Sequence, residues 1–521
     1  MYALAAFCSF VALAAWLVRR RSAQRLINCI PGPKSFSWTY GNLVELFLTK
    51  EYGEHEFEWQ ETFGPVYAIK ACFGETRLMI SDPLTTKFIL NSPVFVSGAG
   101  QQKAANALFG YGSVFMAKGN AHRHLRGIMN PWFSAKNVRS TIPVIKDTAM
   151  KLVDRWESLG YPGTTADVTL TLHDAAVDLV GAAILEHPFN GLSGQSEMAR
   201  IQRGLVNSLS SASKASQIVD ACLQYIPDFV FSAALHLPIP ATRMLREYRN
   251  ATNQLSRQLI QQKRDTMGSK KDDAFISGLM RPADGDTTVG VPDDEIAVHL
   301  RTILFAGEDT TGCTLGWLLY ELARMPDFQN ALREEIYVAS TKTGDRLDYD
   351  NMPLLNALIN ECLRMYPALP MAERVATEDC VLPLSRPITT TRGAQISDIP
   401  IKKGQYVYIA IGSYHRLASV WGPDARVFRP SRWLGDQPGP SNGSALGPHA
   451  SLLSFLAGPN VCLGWRFAIL ELQVIVAEVV RKFALRLPAA NSVRPQCFGL
   501  TLVPKSADGK PGIPLHIEGV E

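Results

Sequence analysis

The sequence predicts a mainly α protein with a small β portion, folded as a single domain. Three observations carry this. Apolar residues recur at three- and four-residue intervals over 78–92, 120–134, 142–158, 169–185, 245–265, 294–325, 327–340 and 354–366, the period of amphipathic helices. Strand-like alternation is confined to short pieces near 65–81, 376–383, 404–411 and 497–518, with no regular strand–helix–strand alternation and no internal repeat. Two polar, Gly/Pro-rich stretches, 268–292 and 435–448, read as surface loops, and neither sets off a second domain.

The N-terminus stands apart. Residues 2–18 form an apolar run containing one Ser, followed directly by Arg19-Arg20-Arg21. The run is at the short end for crossing a bilayer. Charge after the run and none before it places the arginines on the cytosolic side, the pattern of a retained anchor rather than a cleaved leader. Residues 1–21 are therefore expected to be a membrane anchor with a basic stop, and 22–34 a linker. That linker ends in the stiff turn Ile30-Pro31-Gly32-Pro33. Residues 35–521 are the globular body.

Composition narrows the function. At 521 residues with 46% hydrophobic content, the chain can build a core large enough to enclose a cofactor. A net charge of only +4, with no basic tract interleaved with aromatics, excludes nucleic acid as the main partner. The nine cysteines are scattered, odd in number and never in a CxxC pair, which excludes a zinc cluster, argues against a disulfide framework and points to a reducing compartment.

The chemistry-bearing residues fall in five places. In Gly119-Asn120-Ala121-His122-Arg123-His124-Leu125-Arg126, His122 and Arg126 lie one helical turn apart, a geometry fit for a carboxylate or propionate, and Arg374 is a second candidate of that kind. The helix around 294–325 opens on Pro292-Asp293-Asp294-Glu295 and carries Ala306-Gly307-Glu308-Asp309-Thr310-Thr311 at its middle. Gly and two Thr lower helix propensity there, so a local break is expected. It would form a groove into which Asp309 and Thr310 present a carboxyl and a hydroxyl for moving protons. A tolerated helix flaw is the plain alternative.

Glu361 and Arg364 share a helix face amid apolar neighbours, which predicts a buried pair, although surface ion pairs have the same spacing. Arg432, in Phe428-Arg429-Pro430-Ser431-Arg432-Trp433, could join them in a bidentate three-residue network. Finally, in Phe455-Leu456-Ala457-Gly458-Pro459-Asn460-Val461-Cys462-Leu463-Gly464, two glycines flank Cys462 and an apolar helical run follows at once. The glycines permit a tight turn, and the start of the following helix favours a thiolate over a thiol. A thiolate presented so, with Phe455 nearby, suits a haem iron; a buried structural cysteine is the alternative.

Together these features resemble the cytochrome P450 family, in particular its microsomal, single-chain eukaryotic members, over nearly the whole chain. The resemblance implies a triangular helical body with haem b between the long oxygen-binding helix and the cysteine-loop helix. It implies Cys462 as the axial iron ligand, with Phe455, Gly458 and Gly464 as haem-loop residues. Asp309 and Thr310 match the family's acid–alcohol pair. Glu361, Arg364 and Arg432 match its structural network, and His122, Arg126 and Arg374 its propionate partners. Two departures stand out: Asn460 occupies the position where the family usually has Arg or His, and His122 stands where it often has Trp. An amide can hydrogen-bond a propionate but brings no charge, leaving Arg126 and Arg374 to carry more of the neutralisation.

The implied activity is insertion of one oxygen atom of O2 into a C–H bond. Electrons would come from NADPH through a separate cytochrome P450 reductase, with cytochrome b5 as an additional donor, because the chain has no GxGxxG fingerprint or flavin domain of its own. The implied location is the endoplasmic reticulum membrane, single-pass, with the body cytosolic. The resemblance also suggests a pocket lined by the 95–118 loop, parts of 205–235, Ile303, Phe305, residues 368–371 and the turn near 498–501, mostly apolar and without a cation to clamp a carboxylate. That fits a lipophilic substrate. Gly464-Trp465-Arg466-Phe467-Ala468 looks most like fungal enzymes of secondary metabolism, so a terpenoid or steroid-like substrate is expected by analogy, with fatty acids or xenobiotics as the alternative. A reductase-independent haem-thiolate isomerase or dehydratase, which needs no acid–alcohol pair, and a non-catalytic haem sensor are the rival readings.

Overall fold

The structure is a computed structural model describing residues 27–209, 213–266, 275–280, 291–344, 346–435, 439–440, 446–489, 493–498, 501–506 and 509–520. The expected anchor at 1–21 lies outside them, and no helix among the described residues is long and apolar enough to cross a membrane. Residues 27–33 are packed on the body. Ile27 and Ile30 are core residues, and the Pro31 carbonyl accepts a hydrogen bond from Ala68 N at 2.9 Å.

The chain is mainly helical, as its periodicity requires. Residues Asp293–Arg324 form one long helix, opened by three consecutive acids that complement its dipole, and nearly every residue from Thr311 to Ala323 is buried on all sides. Against it pack the helices Thr169–Leu179, Pro240–Thr266, Pro353–Met365 and Trp465–Lys482. The helix Ile142–Ser158 shows the underlying rule plainly. Ile145, Ala149, Leu152, Val153 and Trp156 fall on one stripe and are buried, and the Trp156 indole N–H donates to Thr171 Oγ1 at 2.8 Å.

The β portion lies in short pieces. A five-stranded sheet runs in the order Val66–Lys70, Thr76–Ile80, Tyr406–Ala410, Met371–Ala376, Phe95–Val96, antiparallel except where Thr76–Ile80 meets Tyr406–Ala410. The C-terminal alternation becomes a hairpin, Arg494–Phe498 with Thr501–Lys505, and the strand Pro514–Gly519, which pairs with Thr164–Asp167 and Phe483–Arg486.

Three expectations are corrected. The 78–92 stretch is a strand to Ile80 and a helix only over Pro83–Asn91, because Asp82 caps that helix by accepting from Thr85 N. The 95–118 segment is not a loop throughout: Ala99–Phe109 is helical. Within the presumed surface loop 268–292, Phe275–Met280 is a helix with Phe275, Ile276, Ser277 and Leu279 buried, its apolar side chains outweighing the polar flanks.

Candidate active site

The cysteine turn is built by the backbone. Gly458 has φ +69°, and a Cβ there would lie 2.4 Å from the Leu90 carbonyl oxygen, so glycine is required. Leu456 also has a positive φ, 56°, a strained conformation for a branched side chain. The turn closes when Cys462 N donates to the Phe455 carbonyl at 2.9 Å. Gly464, directly before the helix Trp465–Lys482, meets nothing closer than 3.7 Å, so its role is to start that helix rather than to admit a neighbour.

Cys462 borders a cleft of about 370 Å³ whose walls include Arg126, Phe133, Val461 and Trp465. Its side chain is exposed toward this cleft, while protein crowds the sulfur elsewhere. That burial pushes the thiol up, and the Gly464 N–H and the Arg126 charge pull it only partly back. The helix start therefore does not by itself favour the thiolate, as the sequence suggested; a bound cation must supply the rest.

Arg126 and His122 emerge from the helix Gly119–Met129. Arg126 donates to the Val461 carbonyl at 3.0 Å, next to the cysteine, and has no carboxylate partner among the described residues. Burial lowers its affinity for its proton, and burial together with Arg126 lowers that of His122. Arg374, on the strand Met371–Ala376, is 7% exposed, and among the described residues its guanidinium donates to the Glu373 carbonyl, at 2.7 Å. Arg126 is half-buried and Arg374 buried, and neither has a carboxylate within ion-pair distance among the described residues, so a desolvated cation on each favours an anionic ligand. Asn460 is exposed and adds no charge.

The long helix runs unbroken through 306–311, contrary to the expected break. Gly307 serves another purpose: a Cβ there would lie 2.5 Å from Val180 Cγ2, so it admits a neighbouring helix. The opening comes from Ala306, exposed in mid-helix, with Phe305 and Thr310 partly exposed beside it. Thr310 Oγ1 donates to the Ala306 carbonyl at 2.7 Å. Asp309 does not share this face, because successive helix residues are turned by about 100°. It is 7% exposed, its Oδ2 accepts from Thr501 Oγ1 at 2.8 Å, and burial pushes its carboxyl up. Thr311 Oγ1 donates to Glu471 Oε2 at 3.4 Å, tying this stretch to the helix that follows Cys462.

Glu361 and Arg364 have fully buried side chains and form a bidentate pair at 2.7 and 2.9 Å. Arg432 sits 3.6 Å from Glu361, and its own carboxylate partner is Asp424 at 2.9 Å. The bidentate geometry thus belongs to Arg364, and Asp424 is a member that sequence spacing did not reveal. Trp433 Nε1 and Arg429 N also donate to Glu361, at 2.9 and 2.7 Å. His415, likewise missed, connects the network to the cysteine loop. Its carbonyl accepts from Arg364 at 2.7 Å, and its Nε2 accepts from Leu453 N at 2.9 Å. Burial first, then Arg364 and Arg416, hold that ring neutral, as an acceptor must be. No local sequence signal marks a histidine whose partners are backbone atoms on two other segments.

A thiol beside a cleft, with two arginines that have no carboxylate within ion-pair distance among the described residues, suits a flat dianionic group carrying a metal, the arrangement of haem-thiolate proteins. The chain belongs to the cytochrome P450 family, whose model matches residues 31–510. It is similar to cytochrome P450 monooxygenase 91 of Postia placenta, 30% identical over 97% of each chain. It is also similar to the cytochrome P450 monooxygenases claP and claO of Ampulloclitocybe clavipes, 28% and 27% identical over 99% of this chain and 97% of each relative. The protein is accordingly a monooxygenase of a family that uses cysteine-ligated haem.

Proposed function

We propose that this enzyme hydroxylates a lipophilic, uncharged small molecule of terpenoid or steroid type, with electrons from NADPH delivered by a separate reductase. Cys462 would hold the iron, His122, Arg126 and Arg374 would meet the propionates, and the bound haem supplies oxygen activation. The remaining work falls to the protein. Thr310 keeps a hydroxyl on the opened face at 306–310, where it can donate toward a bound ligand once it releases Ala306. Asp309 is a buried carboxyl whose proton is favoured by burial, joined to Thr501. Proton movement to Thr310 then requires Asp309 to swing out of its buried position.

The observation that carries the reading is the exposed Ala306 in the middle of a mostly buried helix, next to an apolar wall. Phe109 packs edge-on against Phe305 at 5.6 Å and Phe115 at 6.0 Å. Arg301, earlier on the same helix, is committed to the Phe109 carbonyl and Asn253. An apolar wall with its cation engaged favours an uncharged substrate. The anchor at 1–21 would place the enzyme at the endoplasmic reticulum membrane, its body cytosolic.

The test is a spectral titration for iron spin-state change over terpenes, sterols and fatty acids, followed by NADPH consumption with added reductase. Spin shift and coupled consumption with terpenes or sterols are expected. Response to fatty acids alone, or turnover without reductase, would overturn the proposal.

A further inference from the structure

On the side of the long helix turned away from the opened face, three ligand-type side chains from two elements converge. His173, on the helix Thr169–Leu179, brings its Nε2 to 3.8 Å from Cys313 Sγ. Cys313 lies one helical turn after Asp309, and its Sγ is 4.0 Å from Asp309 Oδ1. All three ligand atoms fall within 4.8 Å of one another. A zinc ion with bonds of about 2.0–2.3 Å needs its ligand atoms roughly 3.3–3.8 Å apart. The His173–Cys313 pair is already at that spacing, and Asp309 needs to close by about 1 Å at most.

The surroundings are arranged as around a metal. Glu308 Oε1 holds His173 Nδ1 at 2.6 Å, which fixes the ring and leaves Nε2 for the cluster, while Gln202 holds the other Glu308 oxygen at 3.0 Å. Thr501 occupies Asp309 Oδ2 and leaves Oδ1 toward the cysteine. Gly312 makes room for the imidazole, since a Cβ there would lie 2.9 Å from ring carbons of His173. Asp309 and Cys313 are buried and His173 nearly so.

We propose that His173, Asp309 and Cys313 form a binding site for a soft divalent cation of the zinc type, distinct from the haem site. A thiolate, an imidazole and a carboxylate suit such an ion, whereas magnesium and calcium want oxygen ligands only. Binding releases to solvent the Cys313 thiol proton and any proton on the Asp309 carboxyl or on His173 Nε2, and one tetrahedral position stays open. If Asp309 serves oxygenation as proposed above, occupancy withdraws its carboxylate and slows turnover. Cysteine spacing could not reveal this site, because its ligands are single residues on two helices.

The experiment equilibrates the haem-loaded full chain with zinc chloride, removes the excess, and counts zinc per haem by mass spectrometry. One zinc per haem above the level of C313A and H173Q is expected, with the thiolate-type absorbance of the reduced carbon monoxide complex confirming intact haem sites in each protein. Glu308→Gln is expected to keep binding but weaken it about 10–100-fold. Zinc content equal in wild type, C313A and H173Q would overturn the site. The count needs no turnover, so it stands or falls apart from the oxygenase reading. With a substrate in hand, zinc is expected to slow coupled NADPH consumption reversibly on chelation, and an unchanged rate at full occupancy would refute the inhibitory role.

Discussion

Arg364→Ala is the perturbation whose cost the structure defines best. The guanidinium has no solvent exposure and donates twice to Glu361 and to the carbonyls of His415, Ala425 and Val427. Its removal leaves the buried Glu361 carboxylate with two neutral donors and with Arg432 at 3.6 Å. Breaking one side of a buried ion pair costs about 3–5 kcal/mol. The three orphaned carbonyls add to this without simple additivity. Arg432→Ala removes bonds to Asp424, itself 29% exposed, and to the carbonyls of Trp421 and Asp424, a loss of about 1–3 kcal/mol. Urea unfolding followed by circular dichroism and by haem absorbance measures both. Arg364→Ala is expected to lose at least about 3 kcal/mol and clearly more than Arg432→Ala. Its cysteine loop should also loosen through His415, so that part of the haem shows thiol rather than thiolate absorbance. A loss within about 1 kcal/mol of wild type, or equal losses in the two variants, would refute the reasoning.

Thr310→Ala is expected to keep the haem spectrum while diverting electrons from product to peroxide, read as peroxide formed per NADPH; unchanged coupling would dismiss the role given to Thr310. Asn460→Arg returns a cation to the family's usual position, and at the 0.2–1 kcal/mol typical of an exposed pair it should tighten haem retention by up to about fivefold in a transfer competition. His299 is fully buried, has no hydrogen-bond partner on either ring nitrogen among the described residues, and is driven by burial down to about 4. Its folded value lies below the unfolded one, so the stability tied to its neutral form is present above about pH 6.5 and is lost as pH falls toward 4. Wild type should therefore lose up to about 3 kcal/mol relative to His299→Phe over that interval, and a pH-independent difference would exclude a buried neutral ring.

The long helices were legible because each buries a continuous stripe. Ile142–Ser158 and Pro353–Met365 lie within a residue of the expected spans. Helices such as Ala99–Phe109 and Phe275–Met280 were not, because polar or glycine-rich flanks mask their short apolar faces. At the candidate site, local features carried through. The glycine turn at 458 and the Glu361–Arg364 pair are set by residues close in sequence. What failed needed three-dimensional knowledge. Asp309 faces Thr501 rather than the groove, Gly307 accommodates Val180 rather than a ligand, and Asp424 and His415 join the network through backbone atoms or distant segments.

The oxygenase reading of this enzyme rests on Cys462 as the iron ligand. The most direct measurement is the absorbance spectrum of the reduced carbon monoxide complex of wild type beside Cys462→Ser, with circular dichroism confirming that both are folded. Wild type should show the thiolate-type band and the variant should lack it. A thiolate-type band that survives in Cys462→Ser would contradict the account and move the ligand to another of the nine cysteines.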